Sequence, residues 1–293
     1  MENSNYCIIY NPLSGNGKGE AEARALCEKL GGVECADMTK IESYADFLAA
    51  HKENIIVCGG DGTLNRFVND TADIKIDNSI YYYATGSGND FLRDIGGTAG
   101  EMINIDKQLQ KLPVCTIGDK TYKFINGIGF GIDGYCCEVG DKLRLESDKP
   151  INYTGIAIKG LLFHYKPTNA TVTIDGVEHK FKKVWIAPSM VGRFYGGGMM
   201  PTPAQDRFDE EGKLSVMIFH GTGRLRTLMI FPSIFKGEHI KKDKAVTVLT
   251  GKEISVEFDE PRALQVDGET LLGISKYSVK YPVPAKIEEE QTV

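Results

Sequence analysis

The sequence lacks any apolar run long enough to cross a bilayer. Its longest stretches, such as LMIFPSIF at 228–235, fall well short of the roughly 18 residues a spanning helix needs. It also lacks a basic excess: 34 Lys and Arg stand against 40 Asp and Glu, a net charge of −6. That argues against a duplex-coating binder, and no nucleic-acid partner is expected. No CxxC pair occurs among the seven cysteines, and none of the five histidines stands close enough to complete a zinc pattern. Reduced thiols in a cytoplasmic protein fit this usage, with the histidines in solvated or capping roles. The start, MENSNYCIIY, carries no basic stretch and begins a strand, so no signal peptide is expected. There is no strict repeat, and with 33 Gly and 11 Pro in 293 residues collagen, coiled coil and disorder are excluded. Glycine is nonetheless above its average of about 7%, and the length suggests roughly two domains.

Through about residue 112 the pattern alternates. YCIIYNP (6–12), ECADMT (34–39), NIIVCGG (54–60) and SIYYYATGS (79–87) read as strands. GEAEARALCEKL (19–30), IESYADFLAAH (41–51) and LNRFVND (64–70) read as helices between them. Parallel strands need such crossovers, so the expected unit over 1–112 is a Rossmann-like parallel α/β domain. Beyond it, TVTIDGVEHKFKKVWIAP (171–188) alternates around an Asp-Gly turn, a strong hairpin signal. Strand-like segments follow at 213–221, 245–251, 252–260, 262–269 and 276–283, with helical interruptions near 131–165 and 224–236. A second, mostly antiparallel β-sandwich domain is expected over 113–276, with the segment from about 277 to 293 open to a return to the first domain.

Three glycine-rich turns each follow a strand of the first domain. In NPLSGNGKG (11–19), Gly15, Gly17 and Gly19 let backbone N–H groups converge on an anion, and Lys18 adds charge. It is not a Walker A loop, since Gly rather than Ser or Thr follows Lys18. A plain tight turn is its other reading. GGDGT (59–63) puts Asp61 at the end of a strand, where open α/β sheets bind ligands, and Thr63 in position to cap a helix. ATGSGNDF (84–91) brings Ser87, Asn89 and a second carboxylate, Asp90, to the same edge. Two carboxylates there suit a Mg²⁺–nucleotide.

Taken in this order and spacing, NPLSGNGKG, GGDGT and GSGNDFLR resemble the diacylglycerol kinase catalytic domain family, which includes sphingosine, ceramide and bacterial lipid kinases. YGGGMMPTPAQDRFDEEGKLSV (195–216) and QVDGE (265–269) extend the resemblance over essentially the whole chain. The resemblance implies a lipid kinase using ATP and Mg²⁺ on a membrane lipid, most favourably diacylglycerol. It implies an ATP site lined by Asn11, Pro12, Ser14, Gly15, Gly17, Thr39, Gly59, Gly60, Asp61, Gly62, Thr63, Asn65, Ser87 and Asn89. Asp61 and Asp90 would organise Mg²⁺, and Glu269 would be the general base. The family's structural metal site would fall on Glu211 with the carbonyls of Phe208 and Lys213. The family's Asp-Gly is here Glu211-Gly212, and Lys213 replaces an apolar residue, which weakens that expectation. The family's "V-D-[IVL]-G" strand corresponds to PVCTIGD, with Cys115 at or beside the place of the Asp and Asp119 four residues on. Dimers are common in such enzymes, so a homodimer is a further expectation.

Three other readings bear on function. An NAD kinase shares GGDGT, but GSGNDF and the closing DGE favour the lipid branch. A non-catalytic nucleotide- or lipid-binding protein on this fold has the missing Asp near Cys115 as its only support. GFGIDG (129–134), after the strand-like YKFINGI (122–128), satisfies G-x-G-x-x-G but is not at a first βα turn, so it carries little weight as a dinucleotide site. Finally, KGEHIKKDK (236–244), Arg224 and Arg226 flank the apolar RLRTLMIFPSIF; they read either as a solvated face or as a peripheral contact with anionic lipid headgroups.

Overall fold

Short apolar runs punctuated by glycine form the first sheet. The computed structural model describes residues 6–85, 89–146 and 151–282. Strands β1 (Tyr6–Tyr10), β2 (Glu34–Asp37), β3 (Asn54–Gly59) and β4 (Ile80–Ala84) pair in parallel in the order β2-β1-β3-β4, with β5 (Met102–Asn104) antiparallel at the edge. Around them lie α1 (Ser14–Gly17), α2 (Gly19–Lys29), α3 (Tyr44–Ala50), α4 (Asp61–Asp70), α5 (Asp90–Asp94) and α6 (Asp106–Leu109). The period-2 alternation of strands sends Ile8, Tyr10, Ile56 and Cys58 against Ala23 and Leu26 of α2. Cys7, Ile9, Ile55 and Val57 pack on the other face with Leu48 and Phe67. Both faces are covered, which is why the central strands read as continuous apolar runs. The chain goes from β1 out to β2, then back across to β3. The crevice at that switch lies beyond the C-terminal ends of β1 and β3, where the first two glycine turns sit.

The second sheet is antiparallel and built from β6 (Val114–Ile117), β7 (Lys120–Lys123), β8 (Gly127–Gly131), β9 (Thr168–Ile174), β10 (Val177–Val184), β11 (Ile186–Met190), β12 (Leu214–Phe219), β13 (Val246–Gly251), β14 (Glu253–Val266) and β15 (Glu269–Lys280). Its helices are α7 (Ile132–Glu146), α8 (Tyr153–Lys159), which runs into a π-helical turn at Gly160–His164, and α9 (Arg224–Ile230). The segments 252–260 and 262–269, expected as two strands, form the single long β14 and the turn after it. Its first half pairs with β9 and its last three residues with β8, with register irregularities between Glu257 and Leu264 around Pro261. That bend lets one strand serve both layers. Between them Phe130, Val172, Val216, Val256, Tyr277 and Val279 form the core.

The expected hairpin turns on Asp175 and Gly176, both at positive φ, as a tight two-residue turn requires. Residues 277–280, expected to be open to the first domain, pair with β14 and β6 in the second sheet; 283–293 lie outside the described residues. Trp185 is core, its indole N–H donating to the Thr222 carbonyl. His239 is buried rather than solvated, with Nε2 donating to the Pro201 carbonyl. Among the described residues no helix is long and apolar enough to cross a membrane.

Candidate active site

The first glycine turn is shaped from within. Asn11 Oδ1 accepts from the Leu13 N–H, and its carbonyl accepts both the N–H and the hydroxyl of Ser14. Gly15 and Gly17 take positive φ, while a Cβ on Gly19 would overlap the Asn11 carbonyl. Gly59 is likewise sterically fixed, since a Cβ there would overlap Thr63, whereas Gly62 faces open space. Part of the glycine signature therefore serves packing rather than phosphate approach. Thr39 stands at the end of β2, with its N–H and hydroxyl both on Asp37. Gly60, not Thr63, occupies the N-cap of α4, and Thr63 is buried inside its first turn. Asn89 is the N-cap residue of α5; Ser87 lies outside the described residues.

Asp61 opens α4 and Asp90 opens α5, and the fold brings them together. Asp61 accepts the Asp90 N–H at 2.8 Å and, more weakly, the Phe91 N–H at 3.4 Å. Burial and the neighbouring Asp90 carboxylate push Asp61 up to about 7. Asp90 is raised too, by burial, against the N–H groups of Gly197 and Gly198. Its Oδ2 accepts the Gly197 N–H at 2.7 Å, so the YGGG segment of the second domain rests on this carboxylate. Two adjacent carboxylates, one pushed up to about 7 by burial and by its neighbour, are a donor set that fits a hard divalent cation.

The second domain closes on these loops through residues that sequence reasoning passed over. Asp267, in the turn between β14 and β15, accepts from the Asn65 side chain at 2.7 Å and from the N–H groups of Ile125, Asn126 and Gly127. Asn65, expected to line the ATP site, thus also ties α4 to the second domain. Asp94, at the end of α5, pairs with Arg193 at 3.0 Å and Arg207 at 2.8 Å. Arg207 also reaches the Ile125 carbonyl and Asn126. Of these, Asp267 and Arg207 lie inside quoted segments, QVDGE and 195–216, without a role having been assigned to them. Glu269, the first residue of β15, is solvent-exposed two positions beyond Asp267 and pairs across the turn with Val266.

Deeper in the second domain, Asp133 opens α7. Tyr195 donates to its Oδ2 at 3.3 Å, Oδ1 has no partner among the described residues, and burial pushes the group up to about 6. This is the Asp of GFGIDG, so that segment buries a carboxylate instead of cradling a dinucleotide. A cavity of about 360 Å³ lies beside it, walled by Gly131, Tyr135, Tyr165, Arg262 and Leu272. Among the described residues the buried Tyr165 hydroxyl and Arg262 Nε have no hydrogen-bond partner. Cys115 sits in the β core with its thiol pushed up by burial, and Asp119 lies in the β6–β7 turn, so neither supplies a carboxylate to the cleft.

The structural-metal donors do not fit a cation. The Lys213 ammonium sits on the Glu211 carboxylate at 2.9 Å. The Lys213 carbonyl accepts the Gln205 amide at 3.0 Å, and the same amide nitrogen donates to the Asp206 carbonyl at 3.0 Å. An ammonium and an amide already hold two of the three expected ligands.

Comparison with known proteins agrees with this geometry. Residues 5–117 match the diacylglycerol kinase catalytic domain and residues 126–285 the YegS C-terminal NAD kinase beta sandwich-like domain. The chain belongs to the diacylglycerol kinase family. It is accordingly a lipid kinase. A diacylglycerol kinase of Mycobacterium tuberculosis strain H37Rv is 26% identical over 267 residues, 85% of this chain and 84% of that one. A diacylglycerol kinase of Bacillus subtilis is 24% identical over 89% of this chain and 88% of its own. The crystal structure of a diacylglycerol kinase from Bacillus anthracis superposes with a TM-score of 0.63 at 20% identity, covering 96% of this chain and 95% of that one, which supports the fold. The lipid kinase thus joins a parallel nucleotide-type domain to an antiparallel sandwich, with its paired carboxylates at the seam.

Proposed function

We propose that this lipid kinase transfers the γ-phosphoryl group of ATP to the hydroxyl of diacylglycerol, giving phosphatidic acid and ADP. The observation that carries the reading is the seam itself: the Asp61–Asp90 pair joins α4 to α5 at the strand ends, and α4 is tied through Asn65 and Asp267 to the hairpin that bears Glu269. The acceptor oxygen attacks the γ-phosphorus, the bond to the β–γ bridging oxygen breaks, and the hydroxyl proton passes to the Glu269 carboxylate. Mg²⁺, held by Asp61 and Asp90, would supply charge neutralisation on the phosphates. The backbone N–H groups of the glycine turns and of the α4 N-terminus orient the triphosphate, consistent with catalysis by positioning and electrostatics.

The names of the relatives favour diacylglycerol. The cavity beside the hairpin suits an acceptor's polar end: about 360 Å³ is within the usual range for small ligands, about 300–1,000 Å³. Radiolabel transfer from ATP to a panel of extracted lipids, with NAD in parallel, tests the reading. Label in phosphatidic acid supports it; label only in another lipid corrects the acceptor, and label only in NADP or in nothing refutes it.

A further inference from the structure

Asp and Glu make up 40 of 293 residues, about one in seven, yet none occurs in 151–174 or in 213–237. These two acid-free segments supply α8 with its π-helical turn, and α9. The helices touch: the π turn packs against α9, and the Arg224 guanidinium donates to the Leu161 carbonyl at 2.8 Å. Each has a buried face, Leu161 on one and Thr227 and Ile230 on the other. Each also carries apolar side chains on its outer face. Phe163 is 70% exposed, Leu225 72% and Met229 74%, with Ile158 also exposed. Leu225 and Met229 stand four apart and so share one stripe of α9. Lys159 and Arg226 are exposed among them.

Single exposed apolar residues are ordinary on a soluble surface. A cluster on two touching helices, edged by cations and without one carboxylate of their own, in a chain of net charge −6, is a local inversion of the protein's surface. We infer that this face, centred on Phe163, Leu225 and Met229, is the surface by which the protein docks on an anionic bilayer. Apolar tips entering the headgroup boundary while Lys and Arg meet anionic lipid is the physics of interfacial helices. The surface is also placed for it. His164 and Lys166, one and three positions after Phe163, form part of the wall of the cavity beside the β14–β15 hairpin, so docking would bring that cavity to the membrane. Gly160, at the start of the π turn, packs so closely on Ile132 and Tyr135 that a side chain would not fit, which couples the docking helix to α7. This inference rests on the lipid-kinase reading for the nature of the partner.

The experiment is co-sedimentation with vesicles of phosphatidylcholine alone and of an equal mixture with phosphatidylglycerol. It is run on the whole protein and on the L225S/M229S double variant, with R226E as the charge arm and size-exclusion chromatography of each. The expected result is binding to the mixed vesicles only, weakened at least about tenfold in each variant. Thermal stability and turnover of a monomeric short-chain diacylglycerol should stay unchanged. No vesicle binding by the parent, or equal binding by both variants, overturns the inference. So does a parent dimer that the double variant converts to monomer, since the face would then cover a second copy. Failure of phosphoryl transfer with intact vesicle binding would count against the kinase reading alone.

Discussion

The Asn65 side chain donates to the Asp267 carboxylate across the domain seam at 2.7 Å, and the same carboxylate holds the backbone N–H groups of residues 125–127. One acidic side chain therefore fixes the β14–β15 hairpin to α4 and terminates β7 before β8 begins. Asp267→Ala would leave three backbone donors without their acceptor, at about 1–3 kcal/mol each. Urea unfolding should show a loss of several kcal/mol for that variant, and about 1 kcal/mol for Asn65→Ala, with turnover falling in both.

The Asp94 clamp should be unequal in its two arms. The Arg207 and Asp94 side chains are 6% and 3% exposed, whereas Arg193 is 42% exposed. Arg207→Met strips the buried Asp94 charge of its one buried counter-charge and should cost about 3–5 kcal/mol. Arg193→Met should cost about 1 kcal/mol or less. Equal losses in chemical unfolding would contradict this assignment.

Asp61 makes a prediction with a definite sign. Its carboxyl is raised from 3.8 to about 7 on folding, so the folded protein holds that proton more tightly. The stability tied to it is fully present below about pH 4 and is lost as pH rises through about 7. Asp61→Asn should thus raise the melting temperature relative to the parent more at pH 8 than at pH 5, while abolishing the Mg²⁺ dependence of turnover. Mg²⁺ at the proposed position would compete with protons for Asp61, so apparent Mg²⁺ affinity should fall by up to about tenfold per pH unit below about 7.

The loop 205–213 should be indifferent to chelators. Because the Gln205 amide bridges two carbonyls and Lys213 neutralises Glu211, EDTA should leave the melting temperature of the nucleotide-free protein unchanged. Gln205→Ala should lower stability by about 1–3 kcal/mol. A melting temperature that drops on chelation would mean that a metal holds the loop after all.

The first domain was legible because its strands are covered on both faces and each ends at a glycine turn, so apolar runs and punctuation coincide. The positions of Asp61, Asp90 and the first turn at the strand ends followed from that rhythm. What stayed hidden depends on distant partners. Asp94 meets Arg193 and Arg207 across 99 and 113 residues, a distance no local pattern records. YKFINGI (122–128) reads as one strand but divides into β7 and β8, because the N–H groups of Ile125 and Asn126 turn to Asp267 instead of to a ladder. β14 read as two strands because Pro261 and its charged neighbours look like a turn, yet they form the bend between layers. Asn65, grouped with the ATP loop by its place in GGDGTLN, faces the other domain because it lies one helical turn along α4 from Asp61.

The central claim is that ATP phosphorylates a lipid hydroxyl at this seam with Glu269 as the base. The most direct measurement is turnover of radiolabelled ATP with diacylglycerol by the parent and by Glu269→Gln, alongside nucleotide affinity. Affinity should stay within about twofold of the parent while turnover falls by about 10²–10⁴, the usual contribution of a general base. Glu269→Gln turning over as fast as the parent would contradict it.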